Sequence, residues 1–215
     1  SCIPFDGIGQ GFDHTFSFWT KGNFENANFW ALTQYNGAPQ DQKSLHIGMR
    51  NDFCADPLGW AVVSDFYTSQ AISPCDFSLD WNHWLLTYEH ESGTRKIYRN
   101  SNLVVDTVGL GYLSNLNAGV LIGAQKYSSS PAVGGFQPGA LDDIGVWNRA
   151  LAASEVSAFY NSYTFGCTNQ QSCNFNAEAN LEDGSCHFLC QYCKEGTIWD
   201  EAIQGCIVAN PADIN

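Results

Sequence analysis

The sequence has little methionine, few basic residues and no long apolar run. It contains 1 methionine among 215 residues, whereas Phe, Trp and Tyr together make up 14%, a composition that favours a strand-rich core over a helical one. Lys and Arg number 9 against 22 Asp and Glu, which gives a net charge of -13. Because a surface of this sign repels phosphate, we expect no nucleic-acid partner, and we expect divalent cations to be attracted. No apolar run approaches the roughly 20 residues of a transmembrane segment.

The chain contains nine cysteines, and this number indicates an oxidising compartment. A cytosolic protein rarely carries so many cysteines without the spacing of metal ligands. The first residues, SCIPFDG, lack the pattern of a signal peptide, so we interpret the chain as a mature or excised fragment. We therefore expect an extracellular protein, either secreted or held at a cell surface.

The stretch 139–163, GALDDIGVWNRALAASEVSAFYNSY, changes its hydrophobic period halfway. Its first half alternates, as in a strand with one buried side. One predicted face holds Asp142, Ile144 and Val146, and the other holds Leu141, Asp143 and Trp147. Further on, apolar residues recur at helical spacing, and Ser154 followed by Glu155 suits a first helical turn. We therefore predict a strand over residues 141–147 and a short helix after it.

This stretch, with its Asn-Arg-Ala-Leu corner, resembles the closing signature of the laminin G-like branch of the concanavalin A-like jelly rolls. The segments FDGIGQGFD, TFSFWTK and WNHWLLTYEHESGTRKIYRNSN, at residues 5–13, 15–21 and 81–102, resemble further elements of the same family. The resemblance implies an all-β fold over residues 1–165, namely a two-sheet antiparallel jelly-roll sandwich with one short helix after the last strand.

A second region begins at Gly166, where cysteines become frequent. The segment GCTNQQSCNFNAEANLEDGSC, at 166–186, resembles the Cys-rich repeats of secreted and surface proteins in Bacteroidota. We predict a small disulfide-stapled module over residues 166–215, because about fifty residues with almost no core need such bonds. Its cysteines are expected in disulfides of undetermined pairing: Cys167, Cys173, Cys186, Cys190, Cys193 and Cys206.

Outside this module, Cys54 is expected to pair locally with Cys75. A disulfide between them would close a loop of about twenty residues and stabilise the fold by roughly 3 kcal/mol. Cys2 is then left over. It either ties the N-terminus to the tail or forms a bridge to another molecule.

Asp142 is the first candidate metal ligand. Its parity places it with Ile144 and Val146 towards the core, where a carboxylate must be paired, hydrogen-bonded or metal-bound. In the resembling family an acid at this position, with the N-terminal Phe-Asp-Gly element, often helps to hold a structural calcium. The resemblance thus implies calcium ligation by Asp142 and Asp6, and the alternative is a carboxylate that only caps turn amides. Asp143 is expected to face outward as a solvated charge.

In the tail, oxygen-bearing side chains occur at every second residue before Asp183 and Gly184: Asn174, Asn176, Glu178 and Asn180. This spacing is similar to a calcium loop, but it lacks the opening aspartates and the closing glutamate of an EF-hand. The alternative interpretation is a turn-rich cystine module held by bonds between side chains and backbone.

The sequence shows no catalytic constellation, so we do not expect an enzyme. The glucanases of this fold need a Glu-x-Asp-x-(x)-Glu strand with two close carboxylates, which is absent. The turn at Ser92-Gly93 is predicted to join two half-buried strands, with Leu85, Thr87 and Glu89 on one face and Trp84, Leu86 and Tyr88 on the other. Glu89 and Glu91 share parity, but they lie beside this turn and are interpreted as a solvated hairpin end. Glycoside hydrolysis is kept only as a remote alternative.

Aromatic side chains favour recognition instead, because the apolar face of a sugar ring packs on an aromatic plane. The candidates for such a ligand-binding platform are Trp30, Trp60, Trp81, Tyr67 and Tyr127. We predict a non-enzymatic recognition or adhesion module that binds a glycan or a glycosylated surface, with calcium, through the loops 34–43, 52–58, 67–75 and 126–138. The alternative is a structural subunit of an extracellular filament or coat that associates with copies of itself, since an unpaired Cys2 and a coreless tail suit head-to-tail contacts.

Overall fold

The computed structural model describes most of the two regions expected from the sequence. The described residues are 13–22, 24, 28–34, 45–56, 58–65, 70–109, 120–126, 133–134, 139–188, 197–200 and 205–208. Contacts divide the chain into two compact units, Ser1–Tyr160 and Asn161–Asn215. The predicted boundary after residue 165 lies inside the second unit, which begins at Asn161. Phe165 is the first residue of a short strand in that unit.

Strands dominate the described part of the first unit. They are β1 (His14–Lys21), β2 (Asn28–Gln34), β3 (Leu45–Arg50), β4 (Ala61–Asp65), β5 (Gln70–Ile72), β6 (Asn82–Glu89), β7 (Thr94–Arg99), β8 (Asn102–Val108), β9 (Val120–Ile122), β10 (Gln125–Lys126), β11 (Val133–Gly134) and β12 (Ala140–Trp147). Helix α1 (Ala153–Tyr160) follows the last of them. Among the described residues, no helix has the length and apolar character that crossing a membrane requires.

In the described part of the first unit, two five-stranded antiparallel sheets form the sandwich, and β10 and β11 pair as a separate two-stranded sheet. The first sheet has the order β12-β1-β6-β7-β8, and the second has the order β5-β4-β3-β2-β9. The predicted all-β jelly-roll sandwich is therefore confirmed. The alternation predicted for the hairpin is also observed, since Trp84, Leu86 and Tyr88 of β6 lie in the core between the sheets, whereas Leu85 lies on the opposite face.

Helix α1 covers part of the outer face of the first sheet. Leu151 and Val156 pack there against Leu85 and Tyr98. The hydroxyl of Thr15 fixes the corner before the helix, because it donates to the carbonyl of Arg149 at 2.8 Å and accepts the N–H of Leu151 at 3.0 Å. A side chain of β1 thus holds the chain at the point where the strand period changes to the helix period.

The first helical turn is held by Glu155, as its position in the sequence indicates. The two Nη atoms of Arg149 donate to it, at 2.7 and 2.6 Å, and the N–H of Ala152 donates at 2.9 Å. The hydrogen bonds from Arg149 and then from Ala152 lower the pKa of Glu155 to about 2. The Asn-Arg-Ala-Leu corner therefore supplies a partner that keeps this carboxylate ionised at the positive end of the helix.

The closing strand β12 contains a β-bulge, and the predicted alternation of this strand is wrong. Ser17 of β1 pairs with Gly145, but Trp19 pairs with Asp142, so Asp143 and Ile144 together face a single residue of β1. Asp143 has a φ of 48°. An extra residue reverses the side-chain parity on either side of it.

The bulge changes which side chains of β12 reach the core. Leu141 and Val146 both pack against the core cluster, although the sequence alternation assigned them to opposite faces. Asp142 is exposed rather than buried, and Asp143 is exposed as expected. The burial argument for a metal at Asp142 therefore does not hold.

A buried polar pair lies beneath α1 on the outer face of the first sheet. The side chains of Ser17 on β1 and His83 on β6 are hydrogen-bonded at 2.7 Å, and both residues are fully buried. The rings of Trp19 and Tyr160 lie 5.0 and 5.7 Å from the imidazole. Burial lowers the pKa of His83 from 6.5 to about 4.

The second unit is stapled and turn-rich in its described part. Its strands are β13 (Phe165–Gly166), β14 (Leu181–Glu182), β15 (Thr197–Asp200) and β16 (Gly205–Val208). Cys167 and Cys186 form a disulfide, and Cys173 is also disulfide-bonded. Cys2, Cys190, Cys193 and the side chain of Cys206 lie outside the described residues.

The oxygens proposed for a calcium loop accept backbone N–H groups instead. Asn174 accepts from His187 at 3.1 Å, Asn176 from Glu178 at 3.0 Å, Asn180 from Thr164 at 2.8 Å and Asp183 from Ser185 at 2.8 Å. The oxygens of Asn176 and Asp183 thus hold local turns, whereas those of Asn174 and Asn180 join segments that lie 13 and 16 residues apart in the chain. The contacts support the interpretation of this segment as a turn-rich cystine module.

Acid should destabilise the sandwich through His83. Above pH 6.5 the imidazole is neutral in both the folded and the unfolded chain, so its contribution does not change with pH. Between pH 6.5 and about 4 only the unfolded chain takes up the proton, and the free energy of unfolding should fall by roughly 3 kcal/mol in total. Urea unfolding at pH 7, 5 and 4 measures this loss.

His83→Gln should flatten that dependence, because it removes the titrating group. The matched control is His90→Gln at the β6–β7 turn, which should keep the wild-type dependence. Equal slopes for His83→Gln and the wild type would contradict the assignment.

Candidate functional site

The outer face of the second sheet carries the site that we consider first. On β3, Leu45, Ile47 and Met49 lie in the core, so His46, Gly48 and Arg50 occupy the opposite face. Trp30 of β2 is paired in register with Gly48. Its indole lies against this glycine, because a Cβ placed on Gly48 would come within 2.9 Å of the indole Cε3.

The indole of Trp30 contacts the two side chains that flank Gly48. The ring of His46 lies 4.7 Å away between centroids, and the guanidinium of Arg50 lies 5.8 Å from the indole centroid. Arg50 also lies 4.7 Å from the ring centroid of Phe53. Both contacts are within the range of cation–π attraction. The end of β3 thus joins one guanidinium to two aromatic rings.

Asp52 completes the arrangement with a bidentate ion pair. Arg50 Nε donates to Asp52 Oδ1 at 2.9 Å, and Nη2 donates to Oδ2. The pair remains accessible, because the side chain of Arg50 is 18% exposed and that of Asp52 is 47% exposed. Phe53 is 36% exposed, whereas Trp30 is buried. We call Trp30, Arg50, Asp52 and Phe53 the Arg50 platform.

The loop that carries Asp52 and Phe53 is fixed by its own backbone bonds. The backbone N–H of Cys54 donates to the backbone carbonyl of Asn51 at 2.8 Å. The side-chain amide of Asn51 donates to the Gly59 carbonyl at 2.5 Å. Cys54 is joined to Cys75 by a disulfide with a sequence separation of 21, the local pair that the sequence indicates. A closure of this length stabilises the folded chain by roughly 3 kcal/mol.

The other end of the disulfide is anchored to the first sheet. Asp76 bridges to Trp60 through the backbone, and its carboxylate pairs with Arg99 of β7 at 2.7 Å. The second oxygen of Asp76 accepts the N–H groups of Phe77 at 2.8 Å and Ser78 at 3.1 Å. Since Asp76 is buried, this ion pair needs such additional bonds to offset desolvation. The platform is thus supported from both sheets.

The aromatic candidates from the sequence fall into four groups. Trp30 belongs to the platform, although its own exposure is only 6%. The prediction that Trp60 contacts a ligand is wrong, because it is 1% exposed and packs in the core against Phe24 and Trp84. Trp81 is partly buried just before β6. The remaining two, Tyr67 and Tyr127, lie outside the described residues.

The predicted metal ligands are only partly described. Asp142 is exposed on β12, and its Oδ1 accepts the N–H of Asp143 at 2.8 Å. This is the turn-capping role that the sequence left open for it. Asp6 lies outside the described residues.

Three potential metal ligands come together in the second unit. The Cys167 and Cys186 sulfurs and a Glu182 oxygen lie within 4.8 Å of one another. The two sulfurs form a disulfide and have no thiolate to offer. Glu182 accepts the N–H groups of Thr168 at 2.8 Å and Gly184 at 2.9 Å, and these bonds lower its pKa. The carboxylate therefore holds a turn.

Ser17 and His83 form the serine–histidine pair described above, which the sequence analysis did not identify. It is closed to a substrate, because both side chains are fully buried under α1. The two residues lie 66 positions apart in the sequence, and the register of β1 on β6 brings their side chains together, so no local pattern in the sequence could identify the pair. Glu89 and Glu91 lie exposed at the β6–β7 turn, where Glu89 accepts from the Ser92 hydroxyl at 3.1 Å. This position agrees with the interpretation as a hairpin end.

A family model and several solved structures match the sandwich. Residues 5–157 match the family model described as Concanavalin A-like lectin/glucanases superfamily. The chain is similar to CBM40 of the Ruminococcus gnavus IT-sialidase bound to alpha2,3 sialyllactose, at 18% identity and a TM-score of 0.55, over 71% of this chain and 85% of that chain. No curated protein matches the chain.

Two further solved structures show the same fold in other settings. The leech intramolecular trans-sialidase complexed with 2,7-anhydro-Neu5Ac is 15% identical, with a TM-score of 0.57 over 78% of this chain and 26% of that chain. The native heptameric SAP-like pentraxin from Limulus polyphemus is 14% identical, with a TM-score of 0.50 over 74% and 80%. At these identities the likeness concerns the fold alone.

Gly48→Ala should disturb the platform from below. The added Cβ would lie 2.0 Å from the Phe29 carbonyl oxygen and 2.9 Å from the Trp30 indole, so the backbone of β2 and the ring must both move. We expect a loss of about 1–3 kcal/mol in the free energy of unfolding. Urea unfolding measures the loss, and tryptophan fluorescence reports the displaced indole. An unchanged spectrum and stability would show that the indole does not rest on Gly48.

Proposed function

The chain belongs to the concanavalin A-like lectin/glucanases superfamily, and we propose that its sandwich is a non-enzymatic module that binds glycans outside the cell. The observation that carries the proposal is the Arg50 platform. It presents a partly exposed aromatic ring, a guanidinium and a carboxylate at one end of a sheet. The glycan-bound CBM40 of similar fold supports the same class of ligand.

A sugar ring matches the chemistry of this platform. The apolar C–H face of the ring would pack on Phe53, whose side chain is 36% exposed. Its hydroxyl groups would donate to the carboxylate of Asp52 and accept from the guanidinium of Arg50, as charge-assisted hydrogen bonds. Because the disulfide and the Asn51 contacts fix the loop, these groups are already in place before a ligand arrives.

Two observations support a binding role rather than catalysis. The described acid pair Glu89 and Glu91 lies at an exposed turn, and the Ser17–His83 pair is sealed under the helix. The disulfides support an address outside the cell, because such bonds persist in oxidising compartments. Recognition of, or adhesion to, a glycosylated surface is the role that combines these features.

Phe53→Ala tests the platform. Removing the ring should weaken glycan binding by about tenfold, or ~1.4 kcal/mol, since stacking contributes on this scale. A glycan array identifies the ligand, and calorimetric titration of the best glycan measures the change in Kd. Phe188→Ala is the matched control, because Phe188 is also partly exposed but belongs to the second unit. Equal weakening in both variants, or none in Phe53→Ala, would place the site elsewhere.

Calcium is a separate part of the proposal. Asp142 is exposed, and its Oδ1 already accepts a hydrogen bond from the backbone N–H of Asp143. Calcium takes six to eight oxygen ligands, so this carboxylate would supply a small part of the set. The other ligands would have to be Asp6, residues outside the described ranges, or water. The described residues therefore offer one anchor for calcium and not a complete site.

Asp142→Asn tests this anchor. If calcium binds there, adding calcium to about 1–5 mM should raise the melting temperature of the wild type and leave that of the variant unchanged. Asp143→Asn, on the neighbouring exposed residue, is the matched control and should respond as the wild type does. An identical response of wild type and Asp142→Asn would remove this residue from the calcium site.

A further inference from the structure

We propose that the Arg50 platform selects neutral, hydroxyl-rich sugars and that Asp52 is the residue that discriminates against carboxylated ones. This inference rests on the proposed glycan-binding function and goes beyond it, because it names the ligand class and the determinant of specificity. The relevant feature is that the cation of the platform is already paired with an exposed anion.

The guanidinium of Arg50 is not presented as an isolated positive charge. Asp52 takes two of its donors in a bidentate pair, Nε at 2.9 Å and Nη2. The guanidinium also lies over the rings of Trp30 and Phe53, at 5.8 and 4.7 Å from their centroids. A ligand carboxylate would thus meet a pair with no net charge.

Asp52 is the more accessible member of that pair. Its side chain is 47% exposed, against 18% for Arg50. A carboxylate oxygen that already accepts one hydrogen bond keeps capacity for another, and a sugar hydroxyl can donate it. A second carboxylate at the same distance can donate nothing at neutral pH and is repelled. The accessible edge of the platform therefore favours hydroxyl groups.

The charge of the whole chain acts in the same direction. With 22 acidic and 9 basic side chains, the net charge of -13 repels anionic ligands at longer range. Salt screens this contribution, but it screens a close contact at Asp52 much less. Discrimination that persists at physiological salt would therefore point to Asp52 rather than to the overall field.

The test compares matched neutral and carboxylated glycans. An array that holds each neutral oligosaccharide together with its sialylated or uronic-acid counterpart, such as lactose and sialyllactose, identifies the best-bound pair. In a titration at about 0.15 M salt, the wild type should bind the neutral member roughly tenfold more tightly than the carboxylated one. Asp52→Asn keeps a side-chain oxygen for Arg50 but removes the anion, so this ratio should shrink several-fold.

Asp106→Asn is the matched control, because it removes the same charge from an exposed residue of β8 in the first sheet. It should keep the wild-type ratio. The inference is overturned if the wild type binds the carboxylated member equally or more tightly, or if Asp52→Asn leaves the ratio unchanged while its melting curve shows a folded protein. If Asp52→Asn does not fold, the ratio for the wild type decides. Binding of neither member would overturn the proposed function itself, and the inference with it.

Discussion

The attachment of helix α1 to the outer face of the first sheet is the constraint on which the arrangement of the molecule depends. One hydroxyl, that of Thr15, bonds both the Arg149 carbonyl and the Leu151 N–H and so fixes the corner at which the helix begins. Leu151 and Val156 then pack on Leu85 and Tyr98, and the rings of Phe159 and Tyr160 lie against His83, which is fully buried. A covered face cannot present side chains to a ligand. The binding site that we propose lies instead on the second sheet, at the Arg50 platform.

The sequence predicted the fold well wherever strand alternation is unbroken. The β6–β7 hairpin has its two faces as expected, because no residue is inserted in either strand. In β12 the same reasoning was wrong, since the bulge at Asp143 reverses the parity between Leu141 and Val146. Periodicity counts residues and cannot see an extra one that the partner strand leaves unpaired. The supposedly buried carboxylate of Asp142 was a consequence of that miscount.

The site was only partly predictable. Trp30 and the loop that begins at Asp52 were both candidates, but nothing in the sequence joined them or drew attention to Arg50. Their contact depends on register across strands, which places the Trp30 indole on Gly48 and beside Arg50. An aromatic residue paired with a glycine is a signal that could have been sought once the order of the strands was known. Trp60 shows the opposite error, because composition cannot separate a core tryptophan from a surface one.

The Cys54–Cys75 bond has a consequence for how a ligand would be met. It joins Cys54, the residue after Phe53, to Cys75, which precedes the Asp76 that pairs with Arg99 of the first sheet. A receptor surface that is already ordered loses little conformational entropy when a complex forms. Affinity of such a preorganised surface is then governed by how slowly the ligand leaves rather than by a folding step on arrival. For the glycan-binding surface that we propose, the covalent link would thus fix the shape of the Phe53 segment before a ligand arrives.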